Sequence, residues 1–290
     1  MDKKTDQEKV VNAIPLMLLM GFIISAPIIM LAGTALWQRS QFNNYLIHLD
    51  PVMKKAEKSM NVADLMWDRD FFKETFDPLT KGSDPVAIQK DIKDARKDLA
   101  KAHREFNRAE AEFRKIKTPR DGYELKNAVQ DYFKYGNKFM TDMEVVLAHF
   151  DKHAVIEGKM DTAIDNAKSA GSDVNALAAR DQSLDQEMKN LEKMVVPNPM
   201  SEFHEHKTAW FARLVELLKE STAAAAARDN DRLDQLGIDI EQLAVTGDQQ
   251  FKEDLEGIRN GNLTQSDDRT AEFKIDMENE VSSMKLKYRL

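Results

Sequence analysis

Two patterns of apolar residues divide the chain. Residues 10–38 carry no charged side chain, and within them 14–36 reads IPLMLLMGFIISAPIIMLAGTAL. Beyond that point apolar side chains recur every three or four positions between charged ones, the spacing of amphipathic helices. As a helix, the 23 residues of the first pattern would rise about 35 Å, enough to cross a hydrocarbon core of about 30 Å. The expectation is a membrane anchor over residues 10–37 behind a polar tail over 1–9. A cleaved signal peptide is the rival reading, since Gly33 and Ala35 are small enough to flank a cut, but its apolar run ordinarily spans about 7–15 residues.

Inside the anchor, Pro27 leaves the carbonyl of Ile23 without its helical partner, which predicts a kink there. Gly21 and Ser25 form a small-xxx-small pair and are the candidates for close helix packing within the bilayer. Lys3, Lys4 and Lys9 precede the stretch, while Arg39, Lys54, Lys55 and Lys58 follow it, so the distribution of positive charge nearly balances. A short polar head beside a large domain is the layout of a signal anchor, which predicts a single-pass protein of the cell membrane with its N-terminus cytoplasmic and its helical domain extracytoplasmic.

The second pattern predicts long helices in sequence. Residues 38–83 read as a membrane-proximal stalk, interrupted near Asp50 and Pro51 and ending in a loop that holds Asp77, Pro78, Gly82 and Pro85. Ser83 or Asp84 is the expected cap of the next helix, with Pro85 at its first position. That helix carries a seam of Ile88, Ile92, Ala95, Leu99, Ala102, Phe106, Ala109, Phe113 and Ile116, alternating steps of four and three as in a coiled coil. Ala95, Ala102 and Ala109 would admit an unusually close neighbour and are the candidate interaction surface, for another segment of this chain or for another protein.

A short turn at Thr118, Pro119 and Gly122 makes the following helix an antiparallel neighbour. Its seam runs Leu125, Val129, Tyr132, Gly136, Phe139, Met143, Val146, Phe150, His153, Glu157, Met160, Ile164 and Ala167. Shorter helices are expected from Val174, from Ser201 and after Asp229, with a polar loop over 257–268 and a last helix bearing Phe273, Met277, Val281 and Met284. The break at Pro197 and Pro199 divides a long coiled-coil-like bundle, 84–196, from a second bundle segment, 197–290. Tyr123 and Phe203 each lie four residues after a proline, a faint hint of duplication.

Composition agrees with an all-α fold: an anchor followed by an elongated antiparallel bundle with coiled-coil-like packing. Charged residues make up 32% of the 290, against 11 Gly and 8 Pro, a balance that favours helix over strand. The 42 basic and 50 acidic residues are interspersed to a net charge of −8, leaving no basic stripe for nucleic acid. Without cysteine there is no disulfide, thiolate metal site or thiol nucleophile. No phosphate-cradling glycine loop or hydrolase signature occurs, so no catalytic residue and no cofactor is expected.

One cluster could carry chemistry. His149, His153 and Glu157 follow one another at i, i+4 and i+8 on one helix face, and Glu202, Glu205 and His206 offer a second group. Di-metal carboxylate bundles add a Glu-x-x-His element that is missing here, so the expectation is no metal. Because His153 and Glu157 interrupt an apolar seam just before Gly158, the packed seam should end near His153 and leave both polar residues within reach of solvent.

The functional expectation is a non-catalytic, membrane-anchored scaffold or accessory protein that binds another envelope protein or self-associates. The alternative is an extracytoplasmic domain binding a small ligand among aromatics such as Trp67, Tyr132, Tyr135, Trp210 and Phe211.

Overall fold

The structure is a computed structural model, which describes the backbone of residues 4–66, 85–170 and 173–288 and the side chains of 34–66, 87–170, 173–261 and 268–288. Among the described residues there is no strand. The described residues form seven α-helices in sequence: α1 Lys4–Asp64, α2 Pro85–Phe113, α3 Tyr123–Ser169, α4 Val174–Glu192, α5 Ser201–Ala227, α6 Asn230–Ile258 and α7 Thr264–Tyr288.

Their ends follow from local chemistry. Pro85 opens α2, where a missing N–H costs nothing. Asp173 caps α4 by accepting from the N–H of Asn175 at 2.9 Å, and Asp229 caps α6 by accepting from that of Arg232 at 3.0 Å. α5 ends at Arg228, whose φ of 55° is left-handed; the N–H groups of Arg228 and Asp229 then close on the carbonyls of Ala225 and Ala224.

The 47-residue α3 is the spine of two tiers. Along its first half lies an antiparallel four-helix bundle with α1, α2 and α7. Phe106 of α2 meets Phe133 edge-on at 5.1 Å, Phe273 of α7 stacks on Tyr135 at 5.2 Å, and Phe42 of α1 meets Tyr288 at 5.6 Å. Along its second half packs α4, with α5 on α4 and α6 on α5; α5 reaches α3 through side chains, Phe203 meeting Phe150 at 5.2 Å. Ile92, Leu99, Phe106 and Phe113 are all buried, as the seam predicts. Ala95, Ala102 and Ala109 are buried too, on a helix that packs between α1 and α3 of the same chain.

Three expectations need correction. α1 is not interrupted at Pro51: the proline lies on the exposed face, where water can take up the carbonyl it frees, while Leu49, Val52 and Met53 hold the other face in the core. The packed seam of α3 does not end near His153: the helix passes through Gly158 with Ala154, Ile156, Met160 and Ile164 buried on both sides of it, outweighing a glycine cost of about 1 kcal/mol. The expected loop over 257–268 shrinks to a bend: one helix runs to Ile258 and the next starts at Thr264, with Gly261 between them in a non-helical conformation (φ −85°, ψ −129°). Tyr123 is exposed and Phe203 buried, so the supposed repeat places its two aromatics differently.

Among the described residues no helix is long and apolar enough to cross a membrane. The expected anchor over 10–37, with the kink at Pro27 and the pair Gly21 and Ser25, falls up to residue 33 outside the residues whose side chains are described, as do Trp67, Ser83 and Asp84.

Candidate functional site

In the second tier the inner face of α3 presents His149, His153 and Glu157, and the inner face of α5 presents His204 and Lys207 at the same depth. All five are nearly or wholly shut off from solvent: 2%, 0%, 5%, 9% and 0% exposed in that order. The expectation that His153 and Glu157 reach solvent is therefore corrected. The helix does not leave the core at His153; instead α5 brings polar groups to meet it, and Lys207 offsets part of the cost of burying the carboxylate.

His153 Nε2 lies 3.0 Å from His204 Nδ1, so one imidazole N–H donates to the other's lone pair. The ring of His149 stands 4.7 Å from that of His153 and 5.5 Å from that of His204. One nitrogen from each of the three falls within 4.8 Å of the others. On its far side His153 faces Glu157, with Nδ1 to Oε1 at 3.5 Å, and Glu157 faces Lys207, with Oε1 to Nζ at 3.6 Å. The Lys207 ammonium sits over three rings, 4.2 Å from the centre of Phe251, 5.5 Å from Phe211 and 5.8 Å from Trp210, a favourable cation–π setting.

Several polar atoms here lack a hydrogen-bond partner: both ring nitrogens of His149, Nδ1 of His153 and Oε1 of Glu157. Burial decides their protonation. It pushes the His149 imidazole down to about 3, with His153, His204 and Lys152 adding to the effect. The same desolvation, followed by the charge of Lys207, holds His153 well below the usual histidine range, and burial alone lowers His204. Glu157 is lifted by burial to about 7, against the pull of Lys207. At neutral pH the site thus offers three neutral imidazoles, one of whose lone pairs is engaged in the His153–His204 hydrogen bond, beside a carboxyl poised to ionise.

Of the residues singled out in the sequence, His149, His153 and Glu157 come together as their spacing implies. The second group does not join them. Glu202 and Glu205 are exposed, and His206 pairs with Asp254, its Nδ1 3.0 Å from each carboxylate oxygen. The histidine that faces inward is His204, which the sequence reading passed over. Its signal lies in the stripe His204, Lys207, Phe211, Leu214 and Leu218, all buried at helical spacing, a stripe disguised by the lysine at its second position. Tyr132, Trp210 and Phe211 are core residues, and Tyr135 is occupied by Phe273 and Arg269.

No protein-family model, curated protein or solved structure matches this chain.

Proposed function

We propose that the chain is a non-catalytic, membrane-anchored scaffold or accessory protein, with residues 10–37 in the cell membrane, the tail 1–9 cytoplasmic and the bundle extracytoplasmic, where it binds another envelope protein or a second copy of itself. The carrying observation is α1. One helix, Lys4–Asp64, holds both the charge-free stretch and, from Phe42 onward, a core element of the first tier. A bundle joined to its anchor without a flexible linker has a fixed stance above the bilayer, as a scaffold requires. Leu36 and Trp37, 64% and 63% exposed, end the charge-free stretch one turn before the packed region. An exposed indole at that position suits the interfacial belt of a bilayer.

Exposed Ile238 and Val245, seven residues apart on α6, put two apolar side chains on one outward face of the second tier where a protein partner could rest. The ligand-pocket alternative has less support, because the aromatics that would line a pocket pack against one another: Trp210 lies 5.0 Å from Phe211 and 5.8 Å from Phe251.

The test is gentle purification of the intact chain from membranes, with crosslinking and mass spectrometry. A stoichiometric partner or dimer is expected, weakened by Ile238→Glu with Val245→Glu. A chain that stays monomeric and alone in several detergents would refute the reading.

A further inference from the structure

We propose that His149, His153 and His204 are the protein ligands of one zinc-type divalent cation in the core of the second tier, and that Glu157 positions His153 from behind. This site is separate from the scaffold reading and stands or falls without it.

The geometry comes from two helices. An i, i+4 pair on α3 puts two imidazoles on adjacent turns of one face, and His204 closes the triangle from α5. The three donor nitrogens lie within 4.8 Å of one another. Around a tetrahedral ion with bonds of about 2.0–2.1 Å, neighbouring nitrogens stand about 3.4 Å apart. His153 and His204, at 3.0 Å, are already near that edge, so closure asks mainly for His149 to swing inward by on the order of 1 Å, a side-chain rotation. In the arrangement described, one of those two nitrogens spends its lone pair on its neighbour's N–H. An ion between them takes both lone pairs, and the proton moves to the opposite ring nitrogen, which for His153 is the one facing Glu157.

Independent support comes from His149, which is buried with neither nitrogen hydrogen-bonded. Such a group is uncommon in a packed core, because each unmet polar atom forfeits its hydration. A cation supplies His149 with the partner it lacks. Behind His153, Glu157 Oε1 at 3.5 Å reproduces the carboxylate–histidine–metal order that fixes ring orientation and tautomer. Lys207 holds that carboxylate from the far side, and the carboxylate in turn offsets part of the ion's charge.

The donor set chooses the ion. With imidazole nitrogens and no thiolate, it suits zinc and its late first-row neighbours, while magnesium and calcium prefer oxygen cages. Three protein ligands leave a fourth position for water or a small anion. His204, at 9% exposure, marks the side from which ion and water reach the site.

The test uses the full-length purified protein, stripped with chelator and titrated with Zn2+ by calorimetry and with Co2+ by visible absorption. Expected are one ion per chain, a Kd in the micromolar range or tighter, and the absorption of a tetrahedral cobalt site. His149→Phe and His204→Phe should each weaken binding by about 100-fold or more, with helix content checked by circular dichroism. His48→Ala, His103→Ala and His206→Ala, which change the other three of the six histidines, should leave it intact. Glu157→Gln should weaken binding by about 10-fold or more without changing stoichiometry, as expected of a positioning residue. Absence of saturable binding to the folded parent at about 100 µM Zn2+ would overturn the proposal, as would binding that survives His149→Phe and His204→Phe in folded variants. Should either variant unfold, the cobalt spectrum of the parent decides, and an octahedral signature there would count against the site.

Discussion

The indole of Trp210 reaches across to α6 at Gly247: its Nε1–H donates to the carbonyl of Leu243 at 2.8 Å, and a Cβ at position 247 would stand 2.2 Å from that same nitrogen. Helices α5 and α6 can approach this closely only because residue 247 has no side chain. Gly247→Ala should therefore destabilise the protein by about 1–3 kcal/mol through overpacking, although alanine is the better helix former by about 1 kcal/mol. Thermal unfolding of the single variant and of Gly247→Ala with Trp210→Leu checks this. The double variant should cost less than the sum of the two singles, and simple additivity would show that the contact is not responsible.

A second prediction concerns pH, in protein kept metal-free by chelator. Burial lifts the Glu157 carboxyl from 4.5 to about 7, so between those values the folded chain holds a proton that the unfolded chain has released. Its contribution to stability is full below about 4.5 and is lost as pH rises through about 7. The lowered histidines contribute in the opposite sense below about 6.5, but Glu157→Gln shares them. The stability difference, parent minus Glu157→Gln, should thus fall as pH rises from 4.5 to 8, by about 3 kcal/mol at most. Lys207→Met should cost more at pH 8 than at pH 5, because it strands an ionised carboxylate. Denaturant melts at the two pH values decide, and a pH-independent difference would mean that Glu157 keeps its charge.

Arg180 ties α4 to α5. Its Nε and Nη2 donate to Asp181 Oδ1 at 3.0 and 2.8 Å, and Nη2 also donates to the Leu218 carbonyl at 2.6 Å and to Thr222 Oγ1 at 2.9 Å. Thr222 completes the ring by donating to Asp181 Oδ2 at 2.6 Å. Arg180→Met should cost about 1–3 kcal/mol, since charged hydrogen bonds at a largely buried site are lost. Arg180→Lys should recover only part of it, lacking the planar fork. Equal stability of all three proteins in chemical denaturation would contradict this account.

Topology can be probed directly. A cysteine at Lys97, whose side chain is 77% exposed, should react with a membrane-impermeant reagent on intact cells, or on spheroplasts where an outer membrane intervenes. A cysteine at Thr5 should react only after permeabilisation. The reverse pattern would place the bundle in the cytoplasm.

The seams of α2 and α3 were legible in the sequence because burial there follows local periodicity: Ile92, Leu99, Val129 and Phe139 sit inside for the same reason that they recur every three or four residues. The environment of His153 was not legible. Its partner His204 lies 51 residues away, and spacing along one helix cannot tell which face of a distant helix will arrive opposite. Read alone, a histidine and a glutamate in an apolar seam signal an exit to solvent. Read with the stripe of α5, they signal two polar patches meeting. Gly136 misleads in a similar way, since it resembles a weak point in α3, yet a Cβ there would stand 2.5 Å from Phe106 Cζ, so its bareness is what admits the aromatic layer.

Because α1 runs from Lys4 to Asp64 without a break, the charge-free stretch and the first tier are geared to one another like two wheels on an axle. Each residue in a helix advances it by about 1.5 Å and turns it by about 100°. One alanine inserted between Arg39 and Phe42 would rotate the face bearing Leu36 and Trp37 by more than a quarter turn relative to the four-helix tier. Seven inserted residues would restore the angle to within about 20° while lifting the bundle by about 10 Å. Azimuth and height of the four-helix tier relative to the charge-free stretch are thus separately adjustable in this chain.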